Sequence, residues 1–213
     1  MVMKDKIQLK VCGMRDSENI LKVSELQPDY MGFIFYAKSK RFVGNAFRIP
    51  DQLSKNIKRV GVFVNETTDK ILALAKTHSL DFIQLHGSEP VSQCAELKQN
   101  NLGVIKVFSV DAQFDFLEIV PYKKVVNYFL FDTKSDRYGG TGKTFDWNLL
   151  NQYDQEIPFF LSGGLSVENS QGIKILHGMN LHALDVNSGV EISPGQKDIE
   201  KIKGLKSILT SNF

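Results

Sequence analysis

The sequence predicts an α/β fold in which eight strand–helix units close into a single-domain (β/α)8 TIM barrel spanning residues 1–213. Eight short apolar runs recur along the chain, and helical periodicity with capping residues lies between them. Dividing 213 residues by eight gives about 27 per unit, which is the length that a strand, a helix and two short loops require. An open doubly wound sheet would show the same periodicity and stays an alternative.

The predicted strands are short runs rich in Val, Ile and Phe with little polar alternation. This pattern is typical of strands that are buried on both faces of a parallel sheet. In chain order the predicted strands are 7–11, 30–35, 60–64, 82–85, 104–107, 128–131, 159–161 and 183–186.

Helices are predicted between the strands, where capping residues precede apolar positions at helical spacing. The predicted starts are Ser17, Thr67 or Thr68, Pro90, Ser166 and about Asp198. Pro28 ends the first of these helices, because proline cannot continue a helix. No stretch of the sequence has the composition of a linker.

Composition excludes several classes of protein. Hydrophobic residues at 42% and charged residues at 23% exclude wholesale disorder. A net charge of +2 provides no strong field for nucleic acid or a membrane surface, although it suits a small anionic substrate. We expect no membrane span, since no run of 18 apolar residues occurs, and no secretory signal at the N-terminus. Together these features predict a cytoplasmic protein.

The candidate functional residues follow the predicted strands, because active sites in such barrels lie at the C-terminal ends of the strands. They are Cys12 after strand one, Arg41 in the basic cluster 38–41, His86 after strand four, Asp132 after strand six and Asp185 in strand eight. A thiol and two carboxylates suit acid–base chemistry, and a basic cluster suits an anion. Each also has a structural interpretation, as a buried cysteine, a loop-bracing carboxylate or a solvated charge run.

Two small-residue turns predict a phosphate site. Gly163 and Gly164 follow strand seven, and Ser188 and Gly189 follow strand eight. Barrels frequently bind phosphate at these two turns, and glycine lets backbone N–H groups approach the oxygens closely. The alternative is that the glycines only make tight turns.

The sequence contains neither a nucleotide-binding P-loop nor a zinc site. The run 142–144 (GKT) resembles the end of a nucleotide-binding P-loop, but the position of that motif's first glycine is Arg137. The two cysteines and four histidines lack zinc-ligand spacing, so no metal is expected. The glycines at 139, 140 and 142 predict a mobile loop that folds over a substrate.

Taken in order, nine blocks of the sequence resemble the phosphoribosylanthranilate isomerase family. They cover nearly the whole chain, and the ordered set is far more specific than any one block. The blocks are 10–14 (KVCGM), 32–36 (GFIFY), 38–41 (KSKR), 60–65 (VGVFVN), 84–87 (QLHG), 131–134 (FDTK), 139–147 (GGTGKTFDW), 162–165 (SGGL) and 185–191 (DVNSGVE).

This resemblance implies a (β/α)8 isomerase of tryptophan biosynthesis that performs an Amadori rearrangement. It assigns the general base to Cys12 and the general acid to Asp132, gives Arg41 the anthranilate carboxylate, and places Asp185 in the sugar site. His86 is expected among the substrate-binding residues, with no specific role assigned. No cofactor is expected, since the reaction needs neither a redox step nor a carbanion sink. Ala37 and Asn187 depart from the family's frequent proline and serine.

The residues alone leave other functions open. A different phosphosugar isomerase or a neighbouring barrel enzyme of aromatic amino-acid synthesis would share the phosphate turns, and so would an anion-binding module without catalysis. A metal-dependent sugar-phosphate barrel would lose activity in chelator. The expected partner is a small phosphosugar–anthranilate substrate, and the chain is expected to be a monomer or a homodimer.

Overall fold

The protein folds into a closed barrel of eight parallel strands in sequential order, in a computed structural model that describes residues 6–133 and 146–212. Strand β8 pairs with β1, so the open-sheet alternative is wrong and the predicted barrel is confirmed. The strands are β1 (Gln8–Val11), β2 (Tyr30–Ile34), β3 (Lys58–Phe63), β4 (Phe82–Leu85), β5 (Gly103–Val110), β6 (Tyr128–Thr133), β7 (Phe159–Leu161) and β8 (Leu181–Val186).

Most strands are apolar on both faces because they separate two cores, although β1, β4 and β8 also place the buried Lys10, Gln84 and Asp185 inside the barrel. Leu130 belongs to the core inside the barrel, whereas its neighbours Phe129 and Phe131 pack into the core between strands and helices. This alternation follows from the two-residue period of a strand. The inner core consists of Tyr30, Val60, Ile105, Val107, Leu130, Phe160 and Ala183.

Four α-helices form at the predicted positions: α1 (Ser17–Ser24), α2 (Thr68–His78), α3 (Val91–Gln99) and α4 (Ile199–Asn212). Asp16 caps α1, accepting a hydrogen bond from the Asn19 amide at 2.8 Å. Asp198 does the same for α4, accepting from the amides of Glu200 and Lys201 at 2.9 and 3.2 Å. The predicted helix starts at Ser17, Thr68 and about Asp198 are confirmed.

The prediction of a helix in every unit is wrong for the connections after β2, β5 and β7, and the described part of the connection after β6 contains no α-helix. Residues 35–57, all of which the structure describes, contain turns and no helix. Short 3-10 helices follow β5, β6 and β7 at Phe116–Tyr122, Trp147–Gln152 and Ser170–Leu176. The helix expected from Ser166 starts later because the Asn169 side chain closes a turn there instead, bonding the Gly164 carbonyl and the Ser166 amide.

After β8 the chain adds an element that the sequence did not predict. A single 3-10 turn, Ser188–Val190, leads into a small antiparallel hairpin of β9 (Glu191–Ser193) and β10 (Gln196–Lys197). The hairpin follows the C-terminal end of β8, on the same side of the barrel as the candidate site. Within the described ranges, no helix has both the length and the apolar character that crossing a membrane requires.

Candidate active site

One cavity at the C-terminal end of the barrel contains all nine predicted site residues in its lining. They are Cys12, Arg41, His86, Asp132, Gly163, Gly164, Asp185, Ser188 and Gly189. Parallel strands bring residues that are far apart in sequence to one end of the barrel, so this convergence is a consequence of the fold. The individual roles of these residues stay predictions.

A chain of polar contacts among residues of the cavity lining, completed by the buried Lys10, joins Asp185 to Asp132. The Lys10 ammonium lies 2.8 Å from Asp185 Oδ2 and donates to Gln84 Oε1 at 2.7 Å. Gln84 Nε2 lies 3.3 Å from His86 Nδ1, and His86 Nε2 lies 3.4 Å from Asp132 Oδ2. Two carboxylates on β6 and β8 are therefore linked through β1 and β4.

These contacts decide the tautomer of neutral His86. Lys10 can only donate hydrogen bonds, so the Gln84 atom that it contacts must be the amide oxygen. The Gln84 NH2 group then donates to His86 Nδ1, which must accept. Neutral His86 consequently carries its proton on Nε2, facing Asp132.

Sequence reasoning missed Lys10 and Gln84, although a signal was present. Each precedes a predicted site residue, Cys12 or His86, by two positions, and residues two apart in a strand point to the same face. A lysine inside an apolar strand run is itself unusual, because lysine is almost never fully buried without a partner. The Lys10 side chain has no exposed surface.

Burial dominates the electrostatics of Cys12 and Asp185. Burial raises the pKa of the Cys12 thiol, and the Lys10 ammonium opposes that rise. Burial also raises the pKa of the Asp185 carboxyl, again against the effect of Lys10. For Lys10, burial would lower the pKa, but Asp185 and Cys12 outweigh it and raise the pKa, so the ammonium stays charged.

The two oxygens of the Asp185 carboxylate differ in their hydrogen bonding. Oδ2 is paired with Lys10, whereas the buried Oδ1 has no hydrogen-bond partner among the described residues. An unsatisfied buried carboxylate oxygen is costly, and a hydrogen-bond donor would offset that cost.

The two predicted phosphate turns abut each other and require glycine. Gly163 has a φ of +92°, and a Cβ there would lie 2.2 Å from Thr133 Oγ1. A Cβ on Gly189 would lie 2.0 Å from the Leu165 carbonyl oxygen. Glycine therefore lets the turn after β8 pack directly against the turn after β7.

The His86 loop is supported from outside the barrel by a buried ion pair. Lys106 lies 2.9 Å from Glu89, and both side chains are almost completely buried. Glu89 accepts hydrogen bonds from the amides of Gly87, at 2.9 and 3.0 Å, and Asn65, at 2.9 Å. This pair connects the loops that follow β3 and β4.

Arg41 has a partner that the sequence did not reveal. Its guanidinium makes a bidentate pair with Glu191 on β9, which sequence analysis had not singled out as a site residue. Arg41 still lines the cavity beside that pair. Residues 150 positions apart meet here, so only the fold could reveal the contact.

Two other predictions concern the substrate-covering loop and the absence of a metal ion. The predicted substrate-covering loop, with its glycines at 139, 140 and 142, and the rejected P-loop run 142–144 lie outside the described residues. Among residues 6–133 and 146–212 there is no group of three or more His, Cys, Asp or Glu that could hold a metal ion. Independence from metal and cofactor stays a prediction.

Residues 9–207 match the family model of N-(5′-phosphoribosyl)anthranilate (PRA) isomerase. The chain belongs to this family. The PRA isomerase of Parabacteroides distasonis is 43% identical over 198 residues, covering 92% of this chain and 90% of the relative. That of Thermotoga maritima is 40% identical over 200 residues, covering 92% and 95%.

Solved PRA isomerase structures share the barrel. The Thermotoga maritima crystal structure has a TM-score of 0.84 at 36% identity, covering 96% of this chain and 99% of the other. A PRA isomerase complex with reduced 1-(o-carboxyphenylamino)-1-deoxyribulose 5-phosphate has a TM-score of 0.83 at 35% identity, with the same coverage. Monomers generated from the dimeric Thermotoga maritima isomerase have a TM-score of 0.79 at 33% identity, again with that coverage. The family, the enzyme class and the reaction predicted from the sequence are confirmed.

Proposed function

We propose that this chain converts N-(5′-phosphoribosyl)anthranilate to 1-(2-carboxyphenylamino)-1-deoxyribulose 5-phosphate, with Cys12 as general base and Asp132 as general acid. The observation that carries the proposal is the composition of one cavity. A thiol on the β1 side and a carboxyl group on the β6 side line it, and the glycine turns and Arg41 lie in the same lining. β1 and β6 are three positions apart around the closed barrel, so the two groups can approach a bound sugar from different sides.

The first step opens the sugar ring. The Asp132 carboxyl group protonates the furanose oxygen as the C1′–O bond breaks, which leaves an iminium ion between C1′ and the anthranilate nitrogen. The Asp132 carboxylate that results faces the Nε2 proton of His86, which stabilises its negative charge. A general acid of this kind contributes about 10²–10⁴ in rate.

The second step removes the proton from C2′. The iminium ion withdraws electrons from C1′ and makes the neighbouring C2′–H acidic, so a moderate base suffices. Cys12 takes that proton as a thiolate, and the resulting enolamine tautomerises to the aminoketone product. Since burial raises the pKa of the free thiol, the Lys10 ammonium and the substrate's own positive charge must favour the thiolate.

Residues that hold the substrate in place also contribute to catalysis. Asp185, which lines the cavity and is held by Lys10 through Oδ2, would accept a hydrogen bond from a sugar hydroxyl. Phosphate at the turns after β7 and β8 and a carboxylate at Arg41 would hold the substrate at two ends. Such anchoring is worth several kcal/mol, because the reacting atoms no longer have to find each other.

The reaction itself is the direct test of the proposed function. With freshly prepared N-(5′-phosphoribosyl)anthranilate, the enzyme should remove the substrate's anthranilate fluorescence in buffer without added metal. Chelator should leave the rate unchanged. An enzyme that binds the substrate without turning it over would be an anion-binding module, and loss of activity in chelator would indicate a metal-dependent barrel.

The phosphate assignment is tested by filling the contact between the two turns. In Gly189→Ala the new methyl group would overlap the Leu165 carbonyl, so the turn must move and its amides lose their alignment. We expect KM to rise by roughly tenfold or more with little change in kcat, since hydrogen bonds to a charged group contribute about 1.5–3 kcal/mol each. Inhibition by inorganic phosphate should weaken by the same factor.

A helical glycine provides the matched control for that variant. In Gly204→Ala, on α4, the added methyl group would meet only the Val167 side chain, at 3.3 Å. This change should leave phosphate inhibition as in wild type. Phosphate inhibition that is equally strong in Gly189→Ala would contradict the phosphate assignment.

Location, assembly and domain count stay predictions. The sequence predicts a cytoplasmic enzyme, a single domain over residues 1–213, and a monomer or a homodimer. Gel filtration with light scattering would distinguish the two assembly states.

A further inference from the structure

Glu191 is at the centre of a buried charge cluster at the edge of the cavity. Its carboxylate accepts from Arg41 Nε at 2.8 and 3.1 Å and from Arg41 Nη2 at 2.6 Å. Lys197 Nζ lies 2.7 Å from Oε1, and the Gly195 amide donates to the same oxygen at 3.0 Å. Both the Glu191 and Lys197 side chains are at least 95% buried.

We propose that Glu191 and Lys197 are positioning residues that give the enzyme its selectivity for a substrate carrying an aromatic carboxylate. Glu191 orients the Arg41 guanidinium, and Lys197 restores the positive charge that Glu191 would cancel. The proposal rests on the proposed function, in which Arg41 holds the anthranilate carboxylate.

The orientation follows from which atoms of Arg41 are occupied. A guanidinium has two edges that can bind a carboxylate through a pair of parallel N–H bonds. Glu191 takes the edge formed by Nε and Nη2, so the edge formed by Nη1 and Nη2 remains for a second carboxylate. Because Glu191 is held by Lys197 and Gly195, that free edge has a defined direction before substrate arrives.

The charge balance explains why a buried lysine accompanies the pair. Arg41 and Glu191 alone sum to zero, and a neutral pair would attract an anion only weakly. Lys197 adds one positive charge, and Asn187 Oδ1 accepts from its ammonium at 2.8 Å. Burial lowers the pKa of Lys197 to about 8, opposed by Glu191, so the ammonium is mostly charged at neutral pH. The three groups together present a net charge of +1.

Two variants remove one member of the cluster each: Glu191→Gln removes the bidentate partner of Arg41, and Lys197→Met removes a charge together with one of the two groups that hold Glu191. In Glu191→Gln, Lys197 loses its partner carboxylate and becomes neutral in its buried site, so the net charge stays at +1 while Arg41 loses its bidentate partner. In Lys197→Met, Arg41 keeps that partner while the net charge falls to zero. Both changes should weaken carboxylate binding.

The experiment compares two ligands by calorimetry on the full chain. One is reduced 1-(o-carboxyphenylamino)-1-deoxyribulose 5-phosphate, and the other is the same molecule with hydrogen in place of the carboxylate. The ratio of their Kd values measures carboxylate selectivity and cancels any general loss of structure. We expect Glu191→Gln and Lys197→Met each to lower this ratio about three- to tenfold, the size expected for one less-ordered side chain or one lost charge. The Kd of the ligand without the carboxylate should stay within about twofold of wild type.

Two further variants make the outcome decisive. Arg41→Ala should abolish the carboxylate selectivity. If the ratio of the two Kd values in this variant equals that of wild type, the role of Arg41 in the proposed function is wrong. Glu89→Gln, in the buried pair with Lys106, should change both Kd values by the same factor. If Arg41→Ala removes selectivity while Glu191→Gln and Lys197→Met both keep the wild-type ratio, the positioning proposal is overturned. Should Glu191→Gln not fold, Lys197→Met alone still tests the positioning proposal.

Discussion

Replacing Cys12 with serine is expected to lower kcat by orders of magnitude while the fold and the affinity for product analogue persist. A hydroxyl is a far weaker base than a thiolate near neutral pH, yet serine fills nearly the same volume between Ile34 and Val62. Stopped-flow fluorescence with N-(5′-phosphoribosyl)anthranilate would measure the effect. Near-normal turnover in this variant would assign the C2′ proton to another residue of the cavity.

The second cysteine is the internal control. Cys94 is completely buried on α3, outside the cavity lining, and burial raises the pKa of its thiol to about 11. Cys94→Ala should cost about 1 kcal/mol or somewhat more in the free energy of unfolding, through the volume lost from the core. Its kcat/KM should stay close to the wild-type value.

Alkylation reports on Cys12 in the free enzyme. Because burial raises the pKa of this thiol, its reaction with iodoacetamide should become faster as pH increases, with an inflection above the ordinary thiol value. Inactivation should follow modification of Cys12, and a bound product analogue should slow it. An inflection below the ordinary thiol value would show that Lys10 outweighs burial.

Asp132→Asn is expected to lower kcat by about 10²–10⁴ with little change in KM. Asparagine keeps the shape of the side chain and can still accept from the Thr133 amide, as Asp132 does at 2.8 Å, but it has no acidic proton to give. Steady-state kinetics at saturating substrate would measure the loss. Activity within tenfold of wild type would remove Asp132 from the role of general acid.

A carboxylate at the opposite end of the barrel is the matched control. Asp29 precedes β2 and accepts a hydrogen bond from the Leu9 amide at 2.8 Å, close to the N-terminal ends of the strands. Residues at that end serve stability, so Asp29→Asn should change the unfolding midpoint and leave kcat unchanged. A large loss of kcat in this variant would mean that the Asp132 result reports general disruption.

Three buried lysines near the site each form an ion pair with a buried carboxylate. Lys10, Lys106 and Lys197 each lie within 3 Å of a buried carboxylate, namely Asp185, Glu89 and Glu191. Removing one partner of a buried ion pair costs more than the pair contributes, because a charge remains without compensation. These pairs therefore hold the cavity lining in a defined arrangement, from inside the barrel, from the loop after β4 and from the hairpin after β8.

The sequence predicted local structure well wherever local forces decide it. Each predicted strand overlaps an observed strand, because burial on both faces favours apolar residues along most of each strand. The α1 and α4 starts were also predictable, since a capping side chain bonds amides only a few residues away. The connections after β2, β5 and β7 were not predicted correctly; after β7, for example, the turn closed by the Asn169 side chain replaces the start of the expected helix.

Strand period, chain length and ordered motifs were sufficient to predict a barrel, its family and the nine site residues at its C-terminal end, although the period alone allowed an open sheet as well. Only the folded barrel shows which side chains in that region are paired. Lys10 joins Asp185 across 175 positions, and Arg41 joins Glu191 across 150. Such pairs form because closing the barrel brings distant charges into a dry interior where each one must be neutralised. A local pattern such as a lysine in an apolar run indicates a buried charge, but it does not indicate which distant residue pairs with it.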